Sequence, residues 1–213
     1  MVRLDERLES YRVLIGEMAN KVLTMQKQAF ECATKGDINL ALDIIKSDEF
    51  VNNYEYEIND RALEFLALLA PVASDLRLVL CGIKIATDLE RIADYAKNIA
   101  QYVIRYGKIG DEIVPYLKRV SDVFFVMFEE TFEAYHNMDY KRALEIPEMD
   151  KQIDVIMGEL FTNIDKEIAK GKKYENFART MSVLRCYERA GDHTKNINEH
   201  LIYQVKGQHY DFG

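Results

Sequence analysis

The residues best suited to chemistry are two pairs of carboxylates. Glu90 and Asp94 are four positions apart, and so are Glu188 and Asp192. Side chains with that spacing share one face of a helix, so each pair sets two negative charges side by side. Such charges repel unless a cation lies between them, and hard divalent or trivalent ions prefer carboxylate oxygens. Each pair is therefore a candidate metal site.

Further acidic residues occur on the helix that is predicted to precede each pair. With them, the candidate metal ligands are Asp48, Glu90, Asp94, Asp150, Asp154, Glu188 and Asp192. Several bridging carboxylates are what a multinuclear centre of Fe, Mn or Zn requires. The alternative is a solvated acidic surface whose charges are balanced by neighbouring basic residues. Those residues are Arg91, Lys97, Arg189 and Lys195.

The two pairs belong to a longer internal repeat. Six identities between the stretches at 88–99 and 188–197 (Glu, Arg, Asp, Lys, Asn and Ile) keep an offset of 98 residues. Earlier landmarks recur at an offset of 102, as Asp37 and Asp139 do. Self-similarity over about half the chain predicts an internal duplication.

Apolar residues recur at steps of three and four through most of the chain, which indicates long amphipathic helices. We predict six of them, at about 3–35, 38–70, 72–106, 112–137, 139–170 and 174–206. Pro71 should end the second helix, and Pro147 should kink the fifth, because proline cannot donate the helical hydrogen bond.

The predicted fold class is all-α, with two tandem antiparallel three-helix bundles related by duplication. Short links between sequential helices favour this arrangement because they force neighbours to lie side by side. The predicted division is 1–107 for the first bundle, 111–206 for the second and 207–213 for a frayed tail.

Charge and composition exclude several functional classes. A net charge of −8 argues against nucleic-acid binding, which needs clustered Lys and Arg. Cys32, Cys81 and Cys186 are widely spaced and odd in number, so they predict reduced thiols rather than disulfides. The charged N-terminal segment lacks the apolar core of a secretory signal, and the longest apolar run is too short to span a bilayer. We expect a cytoplasmic protein.

Catalytic motifs are absent from the sequence. It has no Gly-rich phosphate loop, no Gly-x-Ser-x-Gly elbow and no Cys-His nucleophile pair. A ferritin-like di-iron site needs two Glu-x-x-His motifs, and Glu133 to His136 is the one example here. We therefore expect no enzymatic activity, no catalytic residues and no organic cofactor. A carboxylate-bridged metal oxidase or hydrolase is the alternative, and it requires an enclosed pocket with a base near the metal.

The doubled motif at 88–99 and 188–197 resembles the phosphate-transport regulator family PhoU, and the resemblance covers the whole chain. Met25, Ala41-Leu42, Asp48 and the segment 71–77 support it. The resemblance implies two tandem three-helix bundles with surface metal clusters. It also implies a regulator that links the ATPase subunit of a phosphate ABC transporter to a membrane sensor histidine kinase and represses phosphate-starvation genes. A homodimer is a further expectation.

Two residues depart from the family pattern. Ala93 replaces the usual glycine, and Asn52 stands where an aspartate would pair with Asp48. Metal affinity should therefore be lower in the first half, unless Glu55, one turn beyond Asn52, supplies the missing carboxylate. An accessory protein of an ion-coupled phosphate transporter is an alternative function of the same class.

Overall fold

A computed structural model describes residues 4–68, 72–173 and 177–212 of the chain. These residues form seven α-helices and contain no strand. The helices are α1 (Leu4–Lys35), α2 (Ile38–Leu68), α3 (Ala73–Tyr106), α4 (Val114–Asn137), α5 (Tyr140–Glu145), α6 (Asp150–Ala169) and α7 (Phe177–Lys206). The predicted all-α class is confirmed.

The fifth predicted helix requires a correction. Instead of one kinked helix over 139–170, the chain forms α5 and α6, which are joined by a 3-10 turn at Ile146–Met149. Pro147 lies in that turn, where its missing amide hydrogen removes a helical hydrogen bond. Pro71, which should end α2, lies outside the described residues.

Matching turns open the second helix of each half. Asp37 accepts hydrogen bonds from the amides of Asn39 and Leu40. Asp139 accepts the equivalent bonds from two amides at the start of α5. These bonds satisfy donors that lack a partner at a helix N-terminus. The repeat therefore preserves a capped turn as well as the carboxylate motif.

The helices pack into two bundles that share one hydrophobic core. In the first half α1, α2 and α3 contact one another, and in the second half α4 packs against α5, α6 and α7. The halves meet where α3 lies along α7 and α1 lies against α4. One continuous set of buried apolar side chains runs through both halves. Tyr187 of α7 reaches across the junction and donates a hydrogen bond to the carbonyl of Gln26 in α1.

The segment after α7 is not helical, but it contacts that helix. The amide of Phe212 donates a hydrogen bond to Glu199, and the ring of His209 stacks on Tyr203 at 4.1 Å between centroids. Within the described residues, no helix is both long and apolar enough to cross a membrane.

Candidate functional site

The first candidate cluster lies where α2 faces α3. Asp48 and Glu55 come from α2, and Glu90 and Asp94 come from α3. Burial raises the pKa of Glu90, and the charges of Asp94, Glu55 and Asp48 raise it further. Glu55 thus lies near this cluster, where its carboxylate accepts a hydrogen bond from the hydroxyl of Thr87 at 3.1 Å. We call these four residues the first carboxylate cluster.

Basic side chains already balance part of this charge. The ammonium group of Lys97 lies 2.5 Å from Asp48 and 3.6 Å from Asp94, so it joins the carboxylates of α2 and α3. Its hydrogen bond to Asp48 raises the pKa of Lys97, and burial opposes this rise. The guanidinium of Arg91 lies 3.6 Å from Glu90 and 3.6 Å from Asp94. The cluster is thus held together by ion pairs.

The second carboxylate cluster repeats this design between α6 and α7. It comprises Asp150, Asp154 and Asp192, and Lys195 lies 2.9 Å from Asp150 and 3.1 Å from Asp192. Burial raises the pKa of Asp150, with smaller contributions from Asp192 and Asp154, and Lys195 opposes the rise. Glu188 lies one turn before Asp192 on α7, and no described hydrogen bond or ion pair holds it. The structure thus brings together three of the four second-half candidates.

Lys97 and Lys195 occupy the same position of the repeat, 98 residues apart. Each lysine follows the aspartate of its motif by three residues and forms an ion pair with it. Each also forms an ion pair with an aspartate of the opposing helix, Asp48 or Asp150. In the parts of the chain that the structure describes, no group of three or more His, Cys, Asp or Glu side chains is arranged to hold a metal ion. The oxygen donors suit a hard cation, but each ammonium group lies between the carboxylates that such a cation would bridge.

A third polar cluster joins the two halves and was missed by the sequence analysis. Asp88 of α3 lies 2.8 Å from the Nδ1 of His193 and 3.2 Å from the Nε2 of His200, both on α7. Asn196 donates a further hydrogen bond to Asp88 at 3.2 Å. We call these four residues the Asp88 junction. The spacing of seven between His193 and His200 was the available signal, since it places both rings on one helix face.

The electrostatics of the Asp88 junction favour an ionised carboxylate. Asp88 is only 8% exposed, and burial by itself raises its pKa. The hydrogen bonds from His193, His200 and Asn196 outweigh burial and hold the pKa of Asp88 below its ordinary value. Tyr95 completes the contact between α3 and α7, with its hydroxyl 3.4 Å from the Nε2 of His193. The junction therefore binds the two halves through one buried negative charge.

One protein-family model matches both halves of the chain. The model of the PhoU domain matches twice, at residues 15–103 and 117–201. This double match confirms the predicted duplication.

Similar proteins cover nearly the full length of the chain. A protein of Clostridium acetobutylicum is 30% identical over 97% of this chain and 94% of its own, and is named phosphate-specific transport system accessory protein PhoU homolog. The phosphate-specific transport system accessory protein PhoU of Escherichia coli is 28% identical over 98% of this chain and 87% of its own. The crystal structure of PhoU from Pseudomonas aeruginosa superposes with a TM-score of 0.87 at 26% identity, covering 97% of this chain and 100% of that one. The phosphate transport regulatory protein PhoU of Streptococcus pneumoniae shares the fold, with a TM-score of 0.89 at 24% identity over 99% of this chain and 100% of that one.

Proposed function

The chain belongs to the PhoU family, and we propose on that basis that it is an accessory protein that regulates phosphate transport. The observation that carries this proposal is the match of the family model to both halves of the chain. Relatives named as accessory proteins of phosphate-specific transport align over nearly their whole length, so the correspondence is not confined to one bundle.

We further propose that the protein acts by binding rather than by catalysis. Its partners in this proposal are the ATPase subunit of a phosphate ABC transporter and a membrane sensor histidine kinase, which it joins from the cytoplasm. The resemblance supports this role, and the net charge of −8 gives the surface a preference for basic patches on partner proteins.

Deletion of the gene from its host tests the regulatory role. A reporter of phosphate-starvation genes should be active in the deletion strain even when phosphate is plentiful, and the wild-type gene should restore repression. Affinity capture from the complemented strain, at high and low phosphate, should recover the transporter ATPase and the kinase. Normal repression in the deletion strain would contradict the proposal, and capture of an ion-coupled transporter instead would favour the alternative accessory role.

We also propose that the carboxylate clusters bind divalent or trivalent metal ions such as Fe, Mn or Zn. Asp48, Glu90 and Asp94 would hold the metal in the first half, and Asp150, Asp154, Glu188 and Asp192 would hold it in the second. Bound metal would supply positive charge that neutralises crowded carboxylates. Because Lys97 and Lys195 already pair with these carboxylates, metal must displace an ammonium group in each cluster.

Elemental analysis after loading with each metal tests this competition. Lys97→Met and Lys195→Met should each bind more metal than the wild type, because a neutral side chain frees two carboxylates. Glu90→Gln/Asp94→Asn and Glu188→Gln/Asp192→Asn should each lose metal, and the second double variant should lose more because the neutral Asn52 leaves the first half one carboxylate short. Comparable losses would show that Glu55 supplies the missing carboxylate. Metal content that is zero in every preparation would contradict the proposal.

A further inference from the structure

A groove between α1 and α4 runs across the junction of the two halves on the surface of the molecule. Its volume is about 440 Å³, and its lining extends along α1 from Glu9 to Leu23 and along α4 from Phe128 to His136. At 1.5 Å per residue, the α1 side is about 21 Å long, which matches roughly four turns of a helix. The groove is therefore long enough to hold a helical segment.

The floor of the groove is apolar and open at its centre. Val13 is 50% exposed there, and Leu23 and Phe132 are partly buried beside it. Gly16 lies in the middle of the α1 side, and a Cβ atom at this position would meet no atom within 4 Å. An approaching helix can therefore come close to the α1 backbone, as small residues allow in helix packing.

The positive charges at the groove are already engaged. The guanidinium of Arg12 lies 3.0 Å from Glu9 and donates a hydrogen bond to the carbonyl of His136 at 2.8 Å. Lys27 lies 2.6 Å from Glu129. Arg12 and Lys27 are thus balanced by neighbouring carboxylates and offer little attraction to an acidic partner.

Negative charge remains at the groove after this pairing. Glu17 and Glu133 line opposite sides, on α1 and α4, and no ion pair holds either of them among the described residues. The groove thus combines an apolar floor with anionic walls.

We propose that this groove docks a basic amphipathic helix of a partner protein. Apolar side chains of that helix would lie on Val13 and Phe132, and its Lys or Arg side chains would reach Glu17 and Glu133. This is the geometry of a helix-in-groove complex, with anchors at positions i, i+3 or i+4, and i+7. The inference rests on the proposed function, in which the protein acts by binding other proteins.

Titration with labelled synthetic peptides tests the groove directly. The probe is a helix of about 18 residues with Leu on one face and Lys on the other, and its matched control carries Glu in place of Lys. The full-length protein should bind the Lys peptide at least about tenfold more tightly than the Glu peptide, and affinity should fall as salt is raised. Equal binding of the two peptides would overturn the charge argument.

Two variants locate the binding surface. Gly16→Phe fills the groove, and Glu17→Lys/Glu133→Lys reverses its charge; each should weaken Lys-peptide binding by about tenfold or more. The matched controls are Gly158→Phe and Asp60→Lys/Asp165→Lys, which change exposed positions of α2 and α6 outside the groove lining and raise the net charge by the same amount as the groove variant. A Cβ at Gly158 also meets no atom within 4 Å, so neither Gly→Phe change places its Cβ against a neighbouring atom. The control variants should bind as the wild type does.

The outcomes separate this inference from the proposed function. Equal loss of peptide binding in the groove and control variants would overturn the groove proposal. A change in the sedimentation of the protein alone on Gly16→Phe would also overturn it, because the groove would then be a contact between copies of this chain. Capture of the transporter ATPase and the kinase by Gly16→Phe as efficiently as by wild type would uphold regulation and overturn the groove. Failure of the wild type to capture either partner would overturn the proposed function, and the peptide titration would still decide the groove.

Discussion

A buried negative charge at Asp88 is tolerated because three donors surround it. His193, His200 and Asn196 all direct a nitrogen at the two carboxylate oxygens, at 2.8 to 3.2 Å. An isolated buried carboxylate is costly, and charge-assisted hydrogen bonds offset that cost. Because Asp88 lies on α3 and its donors lie on α7, the charge stabilises the contact between the halves rather than either bundle alone.

We expect Asp88→Asn to lower the free energy of unfolding at pH 7 by about 1–3 kcal/mol, since both imidazoles lose an ionised acceptor. The folded-state pKa of Asp88 is lowered, so the stability it contributes is fully present above the unfolded value near 3.8 and is lost as pH falls through the folded value. Urea titrations at descending pH should therefore show the difference between wild type and variant shrinking below about pH 4. A difference that stays constant as the pH is lowered well below 4 would contradict the assignment.

Gly191 illustrates how a single residue sets a helix separation. A Cβ atom there would lie 3.0 Å from the Oδ1 of Asp150 and 3.5 Å from the Cδ1 of Ile153, both on α6. We expect Gly191→Leu to overpack this contact and lower the free energy of unfolding by about 1–3 kcal/mol. Gly158→Leu is the matched control, because its Cβ meets nothing within 4 Å. Equal urea midpoints for both variants would show that α6 and α7 do not approach closely at Gly191.

At the scale of helices, each of the two capped turns depends on one aspartate side chain. We expect Asp37→Ala and Asp139→Ala each to lower the free energy of unfolding by about 1 kcal/mol, because two amides at each helix start lose their acceptor. Asp165→Ala, on the exposed face of α6, is the control and should change little. Urea unfolding monitored by circular dichroism measures all three. If Asp165→Ala lowered the free energy of unfolding as much as the cap variants do, the cause would be the loss of a negative charge and not the loss of a helix cap.

The periodicity of apolar residues was enough to predict the long helices of the structure. The break at Pro147 was predicted only as a kink, because proline removes one hydrogen bond but does not reveal whether the next turn continues as α-helix. The four-residue spacing places each carboxylate pair on one face of α3 or α7, because spacing within a helix fixes the direction of a side chain. Asp88 was missed because its donors come from α7, and periodicity within α3 carries no information about a helix from the other half.

The way the two halves pack also lay beyond the sequence. Duplication predicts two similar bundles, but it does not say which faces join them. In the structure, repeat-related Tyr95 and His193 contact each other directly, so α3 and α7 meet near equivalent positions. The buried apolar side chains of both halves form one cluster as a result. The two repeats therefore share one hydrophobic core.

This shared core predicts that neither half is stable alone. Separating residues 1–110 from 111–213 would expose the α3 and α7 faces, leave Asp88 without its three donors, and remove the hydrogen bond between Tyr102 and Thr180 at 3.1 Å. We expect the full chain to unfold in one urea transition with the same midpoint by circular dichroism and by tyrosine fluorescence. Each fragment should unfold at lower urea, and mixing the two should recover helix content because the junction re-forms. Fragments that unfold at the midpoint of the full chain would instead show that each bundle carries its own complete core.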